Sequence, residues 1–552
     1  MEKAPPRGKD LSKENMKFTS SGIPVKVKYG PEDLKNFDYQ KDLGDPGEYP
    51  FTRGVYPTMF RYQPWMKTIC TSLDLAEETN AKIKFLMKEG QSAYFGKPVC
   101  HLVFDMPTNL GLDSDHPMSH YDVGVSGPSV DTLKDIEMIL EGIPLDTLYT
   151  SYNLNAPGPI LLAMHLAVAE KQGVPLQKLS GIICNGGLRG YMGLQIPVFP
   201  PQGNLRMVVD TIEYCTKNVP NFIPTNMVGD MCEAGATPVQ EVAFGLAMFR
   251  EITRAVLKKG LEIDEFASTF AGWYTVTLRE FFEQIAKVRA LRRMWATMMK
   301  EEFGAKDPRS WRLKVSSHTP GGSVLTREEP LNNIARVAIA VLGNVLAGVQ
   351  AIHSCSYDEG YDIPTREASL VALRTQQIIE DEIGVKDIAD PLGGSYFIES
   401  LTGEIEKEAN KYVARIEEMG GYIAAIENGY IQQEIANAAY RQQEEVEKRE
   451  KIIIGVNKYH SDIVTPIKLV ERNPRTRDIV LERLEEVKKK RDSNKVKESL
   501  KRVKEAATGS ENLIPFFLEA VKNYATMGEI MSVLKEVFGD YDTSNLGKFS
   551  TC

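Results

Sequence analysis

The sequence predicts an α/β protein: a (β/α)8 TIM barrel followed by a C-terminal helical extension. Three observations carry this expectation. Over residues 49–400, short apolar β-branched runs alternate with helical patterns, in about eight units, which is the signature of a parallel sheet covered on both faces. The polar residues Asp105, Asn185 and Asp230 each follow directly on a strand-like run, where barrel active sites form. From residue 401 onward the strand-like runs stop and helical spacing continues alone.

Taken in order, residues 1–48 are polar and rich in Lys, Asp, Pro and Gly, and read as an N-terminal arm or tail. The barrel domain, 49–400, contains strand-like runs at Pro98–Phe104, Leu148–Tyr152, Leu179–Cys184, Phe222–Val228 and Trp311–Ser316. Between them lie helical patterns such as Val130–Leu140, Pro159–Lys171 and Glu280–Glu302. In the helical region, 401–552, the apolar positions Ile405, Ala409, Tyr412, Val413, Ile416 and Met419 follow helical spacing and stop at Gly420-Gly421. The stretch 472–507 is dense in Lys, Arg and Glu, and its interleaved acids mark a solvated helical face rather than a nucleic-acid surface. A last helix is expected from the capping box Thr526-x-x-Glu529, running along Ile530, Val533, Leu534, Val537 and Phe538.

With 552 residues, 42% of them hydrophobic, the chain can bury a large core. A net charge of −9 argues against a general polyanion binder. The seven cysteines form no CxxC pair and no zinc spacing, which points to a reducing compartment. The N-terminus has no apolar signal core, and no apolar run approaches the roughly 20 residues of a membrane span. A cytoplasmic protein without membrane or nucleic-acid partners is expected.

Five blocks stand out: Arg53–Met59 (RGVYPTM), Leu110–Gly127 (LGLDSDHPMSHYDVGVSG), Glu233–Thr237 (EAGAT), Asp358–Thr365 (DEGYDIPT) and Asp390–Tyr396 (DPLGGSY). In order and spacing they resemble the methylmalonyl-CoA mutase family, the adenosylcobalamin-dependent acyl-CoA carbon-skeleton mutases. The resemblance runs from about Tyr49 to Phe538. It implies an isomerase that rearranges a coenzyme A thioester by a radical 1,2-shift, with the cofactor supplying the hard chemistry. It also implies that the N-terminal arm reaches over a partner.

The family's cobalamin domain is marked by Asp-x-His-x-x-Gly, whose His ligates cobalt. None of the seven histidines here has an Asp two residues before it. The chain therefore resembles a large, substrate-binding subunit. The resemblance implies a separate small cobalamin-binding subunit that supplies the cobalt ligand, and a hetero-oligomer, with a heterotetramer as the family expectation. No GxxxxGK[ST] is present, so a GTPase chaperone would be a further, separate partner.

Residue by residue, Tyr56, Thr58 and Met59 match family positions that line the coenzyme A channel. Arg61 and Lys67 stand beside Gln63 and Thr68, which replace the family's two phosphate-binding arginines. Glu233 and Glu359 match glutamates that hydrogen-bond the ribose of the adenosyl group, a natural task for a carboxylate facing a sugar diol. His318 matches a polar residue facing the corrin or adenosyl group, and Asn185 a polar residue on the substrate side. No metal-binding residue is expected in this chain.

Several positions depart from the methylmalonyl-specific pattern. Cys70 replaces a Tyr that stacks on the acyl group, and Leu194 replaces the Arg that pairs with the substrate's free carboxylate. Asp230, after Gly229 in place of another Tyr, replaces a His on the thioester oxygen. Cys184 replaces a Gln, and Cys232 another polar side chain. Without the Arg, a buried substrate carboxylate would be costly, unless Arg189 or His101 swings in. The small replacements open volume. An ionised Asp230 can only accept hydrogen bonds, which suits a hydroxyl or amino substituent; protonated in an apolar pocket, it could instead serve the thioester. The expected substrate is thus a branched or bulky acyl-CoA: isobutyryl-, 2-hydroxyisobutyryl-, pivalyl- or larger. The glycine run Gly186-Gly187-x-x-Gly190-x-x-Gly193 reads as room around the acyl group before it reads as a phosphate loop.

Three other readings compete: methylmalonyl-CoA mutase proper, a catalytically inert CoA-binding paralogue, and a cofactor-independent barrel lyase or isomerase built on Asp230. Retention of Tyr56, Glu233, Glu359 and the DSDHP block argues against decay to inertness.

Overall fold

A computed structural model describes residues 17–192, 196–228, 231–319, 321–463 and 466–542. Eight strands follow one another around a barrel: β1 (Met66–Thr68), β2 (Val99–Val103), β3 (Tyr149–Leu154), β4 (Ser180–Asn185), β5 (Phe222–Ile223, resuming at Asn226–Val228), β6 (Ala271–Thr275), β7 (Lys314–His318) and β8 (Ala351–His353). Every ladder between them is parallel, and from β2 to β8 each strand pairs with its neighbour in sequence. The ring closes where β8 pairs with β1, with Thr68 opposite His353. At the β1–β2 seam the Thr71 amide donates to the His101 carbonyl at 3.0 Å.

A helix follows each strand and covers the barrel: α1 (Ala76–Lys88), α2 (Leu133–Ile139), α3 (Gly158–Lys171), α4 (Pro201–Asn218), α5 (Pro238–Lys258), α6 (Phe281–Thr297), α7 (Asn332–Leu346) and α8 (Arg366–Asp381). The five strand-like runs foreseen in the sequence all become strands. The others are β1, β6 and β8, of which β1 and β8 have three residues each, too few to show a period. α3 reads GPILLAMHLAVAEK and is buried on nearly every residue, because it is pressed between the barrel and a C-terminal helix.

The helical region includes α9 (Tyr396–Glu418), α10 (Tyr430–Glu447), α11 (Thr476–Lys490), α12 (Ser493–Thr508), α13 (Ile514–Lys522) and α14 (Met527–Phe538), with a short helix, Tyr422–Glu427, between α9 and α10. The change of character at residue 401 falls inside α9, whose Leu401, Ile405, Ala409, Val413 and Ile416 share one apolar core with α5 and α6. α13 seals α3. In α11 and α12 the apolar stripe Val480, Leu484, Val496 and Val503 turns inward while the charges face out. The capping box is present: the Thr526 amide donates to Glu529 Oε2 at 2.8 Å, and the Glu529 amide to Thr526 Oγ1 at 3.0 Å.

The N-terminal residues that are described lie on the barrel. Ile23 enters the core, and Ser20 Oγ donates to Glu283 at 2.9 Å. Among the described residues, no helix is long and apolar enough to cross a membrane.

Most of the five sequence blocks act as locks. Asp390 accepts from Arg53 Nε at 3.1 Å and from Arg289 at 2.5 Å, tying the first block to the last. Asp113 accepts from the Gly528 amide and Thr526 Oγ1, fastening the DSDHP loop to α14. Asp105 caps the turn after β2 through the Thr108 amide and also takes the Gly124 amide. Asp358 accepts from both the amide and the hydroxyl of Thr365, which caps α8.

Candidate functional site

Alternation along a barrel strand sends every second side chain into the lumen. At the N-terminal end of the strands those side chains are Met66, Val99, Tyr149, Ile182, Ala271 and Ala351, which form a small apolar floor. The next level is Thr68, His101, Ser151, Cys184, Trp273, Ser316 and His353, all buried. A barrel interior is ordinarily filled by branched aliphatic residues. Here it is largely polar, a composition that favours holding a ligand over stability.

Rings span this level. His101 on β2 stacks on Trp273 of β6 (centroids 5.9 Å apart, 5° between planes) and lies 4.7 Å from His353. Its Nδ1 is 2.9 Å from Ser151 Oγ. Burial pushes the His101 imidazole down to about 4, so it is neutral near pH 7. Trp273 stacks on His318, and its Nε1 donates to His318 Nδ1 at 2.9 Å. An indole only donates, so a neutral His318 carries its proton on Nε2. That nitrogen faces Glu233 Oε1 at 3.4 Å.

Glu233 and Glu359 meet at one glycine on the C-terminal mouth of the barrel. Against the cost of burial, His318 and the amides of Gly322 and Gly321 hold the Glu233 carboxyl below the ordinary carboxylate range. Its Oε1 completes no hydrogen bond. A Cβ built on Gly321 would lie 3.7 Å from Cys355 Sγ and 3.8 Å from Glu359 Oε2. Glu359 accepts from the Ser356 amide at 2.5 Å. Burial, reinforced by Asp358, pushes its carboxyl up to about 7. Glu233 also lines an open cavity of about 450 Å³, with Arg279, Gly322, Ser323, Arg327 and Gln442.

Cys70 comes two residues after β1 and is buried at this mouth, with Lys82 and Glu359 as its charged neighbours; burial raises its thiol. Lys82 is fully buried on α1, and its Nζ donates to the Pro364 carbonyl at 2.8 Å. Burial lowers its pKa against the pull of Cys70, Glu359 and Asp358. Asn185, at the end of β4, is fully buried with neither amide atom hydrogen-bonded.

At the other end of the lumen, Tyr94 and Tyr149 pack edge to face at 5.7 Å, and Tyr56 lies close enough to both to raise them further. The Tyr149 hydroxyl is buried without a partner. The other two residues of this group lie apart. Met59 packs in the core against Gly54 and Gly348, and Thr58 is exposed. Lys67 is held in a buried pair with Glu380 at 2.5 Å, which takes it away from any phosphate; Arg61 is exposed.

At Gly186 and Gly187 the glycine run does not open space. The volume over Gly186 is taken by the Arg189 side chain, and that over Gly187 by Asn204. Arg189 is buried, donating to Asn155 Oδ1 at 3.0 Å and Asn153 Oδ1 at 2.7 Å. Cys232 lies against the buried Lys287–Glu241 pair, and burial together with Glu241 raises its thiol. Gly193, Leu194, Gly229 and Asp230 lie outside the described residues.

The sequence did not single out Trp273, His353, Lys82, Cys355 or Tyr149 as site residues. Trp273, His353 and Tyr149 become visible only when strand register shows which residues share the lumen face; the sequence offered no other signal.

The family model described as methylmalonyl-CoA mutase matches residues 18–540. The chain is 40% identical over 544 residues to the 2-hydroxyisobutanoyl-CoA mutase large subunit of Aquincola tertiaricarbonis, covering 98% of this chain and 94% of that protein. It is 37% identical to the methylmalonyl-CoA mutase of Rhizobium meliloti (strain 1021), covering 95% of this chain and 72% of that protein. With the mitochondrial methylmalonyl-CoA mutase of Homo sapiens it shares 36% identity, covering 96% and 69%.

Proposed function

This chain belongs to the methylmalonyl-CoA mutase family of adenosylcobalamin-dependent acyl-CoA isomerases, and we propose that it is a large subunit acting on a branched, 2-hydroxy-substituted acyl-CoA. The observation that carries the site assignment is the convergence of Glu233 and Glu359 on Gly321 at the mouth of a polar lumen. Glu233 Oε1 has no short hydrogen bond, with His318 Nε2 standing 3.4 Å away, and no side chain comes within 4 Å of a Cβ built on Gly322. These features fit a nucleoside sugar, whose two hydroxyls need acceptors. Bound there, adenosylcobalamin would supply the radical that takes and returns a substrate hydrogen.

The chain's own residues bind, orient and shield. Glu233 and Glu359 accept from the sugar, with His318 held on Glu233 by Trp273. The neutral His101 and the ring stack keep water from the middle of the lumen, where a reactive intermediate needs shelter. Tyr56 and Tyr149 stand at the floor, where the free Tyr149 hydroxyl suits an amide of the pantetheine arm. Asn185 offers an unpaired amide on the substrate side. The thiols of Cys70 and Cys184 leave room for a branched acyl group, and Leu194 offers no partner for a substrate carboxylate. Asp230 accepts from the substrate hydroxyl. The similarity to the 2-hydroxyisobutanoyl-CoA mutase large subunit supports this substrate class. The same reading calls for a small cobalamin-binding subunit that provides the cobalt ligand, a hetero-oligomer, a GTPase chaperone as helper and a cytoplasmic setting.

The test is reconstitution of the chain with a small cobalamin-binding subunit and adenosylcobalamin, followed on a panel of acyl-CoA thioesters. Isomerisation that depends on both additions is expected. Asp230→Asn should lower turnover of the hydroxyacyl thioester at least tenfold, the loss of a charge-assisted hydrogen bond; unchanged turnover removes the acceptor role. Thioester binding without turnover of any substrate would replace this reading with an inert CoA-binding protein.

A further inference from the structure

The C-terminal end of β8 carries a second kind of chemistry. His353, Cys355 and Glu359 each place a ligand-type atom (imidazole nitrogen, thiol sulfur, carboxylate oxygen) within 4.8 Å of the others. His353 Nδ1 is buried with no hydrogen-bond partner, while the backbone of Thr68 hydrogen-bonds the ring. Each of the other two side chains is also steadied from behind. Thr319 hydrogen-bonds the Cys355 thiol, and its hydroxyl takes the Cys355 amide at 2.9 Å. The Ser356 amide fixes Glu359 Oε1. Ligands oriented by an outer layer of hydrogen bonds are the mark of a metal site. Gly321 lies over the cluster, and a Cβ there would be only at ordinary contact distance from Cys355 Sγ and Glu359 Oε2.

We propose that His353, Cys355 and Glu359 form a binding site for a thiophilic divalent ion such as Zn²⁺, with a fourth position open toward the barrel mouth. Imidazole, thiolate and carboxylate are all zinc donors, and three protein ligands with an open fourth position is the pattern of open zinc sites. Binding breaks the Cys355 S–H bond, forms a metal–sulfur bond and releases the thiol proton to the solvent. The ion's two positive charges are then balanced by the thiolate and the Glu359 carboxylate. Because Glu359 is also assigned to the nucleoside, ion and nucleoside exclude each other at this mouth. That consequence rests on the proposed function; the ion site itself does not.

The experiment is Co²⁺ titration of the full chain alone, with no cobalamin or thioester present, read by absorption spectroscopy. One equivalent of Co²⁺ should give intense low-coordinate d–d bands and a thiolate-to-cobalt charge-transfer band, both displaced by Zn²⁺. Cys355→Ser should abolish the charge-transfer band, and His353→Gln should weaken binding at least tenfold. Cys232→Ser, at the thiol beside Lys287, should leave the spectrum unchanged. Circular dichroism checks that each variant is folded, and zinc X-ray absorption on the unsubstituted chain gives the ligand set without any variant. A zinc shell with one sulfur and nitrogen or oxygen neighbours supports the site. An absent charge-transfer band, one that survives Cys355→Ser, or a zinc shell without sulfur overturns it.

Discussion

The lumen of the barrel and the shell around it are built on opposite principles. The shell beneath α3, α4 and α13 is packed with Ile160, Leu161, Leu162, Val208, Ile212, Ile514 and Phe517, and its buried His165 and Asp210 are hydrogen-bonded to Tyr152 and to Arg206 and the Leu513 amide. The lumen holds Thr68, His101, Ser151, Trp273, Ser316 and His353, and leaves the Tyr149 hydroxyl and His353 Nδ1 without partners. Such orphaned groups cost stability. The difference separates two tasks: the shell supplies the free energy of folding, and the lumen uses part of it to keep binding groups ready.

Breaking the shell should have the largest effect on stability and little on chemistry. Leu161→Ala removes a fully buried side chain and should destabilise the fold by about 2–5 kcal/mol, while turnover per folded molecule stays unchanged. Chemical denaturation paired with active-site titration measures both.

Breaking the mouth should do the reverse. Glu233→Gln and Glu359→Gln should each lower mutase turnover roughly ten- to hundredfold, by loss of charged hydrogen-bond acceptors, while neither costs the fold more than about 1 kcal/mol at pH 7. A stability loss as large as that of Leu161→Ala would place the glutamates in the structural framework instead.

A pH series sharpens the contrast. Folded Glu359 keeps its proton up to about pH 7, whereas its ordinary value is 4.5, so the folded state binds more protons between those values. The stability this group contributes is complete below 4.5 and is lost as pH rises to 7. His101, depressed from 6.5 to about 4, acts in the opposite sense: its contribution is complete above 6.5 and is lost as pH falls to 4. The difference between the unsubstituted chain and Glu359→Gln isolates the carboxyl. It should favour the variant increasingly as pH rises to 7, and a pH-independent difference would contradict the burial of Glu359.

The smallest effect belongs to the N-terminal end. Thr58 is exposed and should tolerate Ala within about 0.5 kcal/mol, with unchanged affinity for the thioester. A clear rise in KM would return Thr58 to the coenzyme A channel.

Much of the fold was legible. Runs such as Leu179–Cys184 and Phe222–Val228 carried their strands, and Thr526 with Glu529 announced α14 to the residue. β1 and β8 were illegible because three residues show no period, yet they close the barrel and bring Cys70 and Cys355 to one mouth. Glu233 and Glu359 were legible through their blocks. Their meeting at Gly321 was not, because it joins the ends of three different strands. Spacing also misled: it suggested Lys67 for a phosphate and Gly186 for open space, where tertiary structure supplies Glu380 and the Arg189 side chain.

The central claim is that this lumen serves a hydroxylated thioester without a free carboxylate. The most direct test is the ratio of kcat/KM for 2-hydroxyisobutanoyl-CoA over methylmalonyl-CoA, measured on the chain reconstituted with a small cobalamin-binding subunit and adenosylcobalamin. A site built around the hydroxyl, with no arginine for a carboxylate at position 194, predicts a ratio of roughly 10² or more. A ratio near or below unity would contradict it.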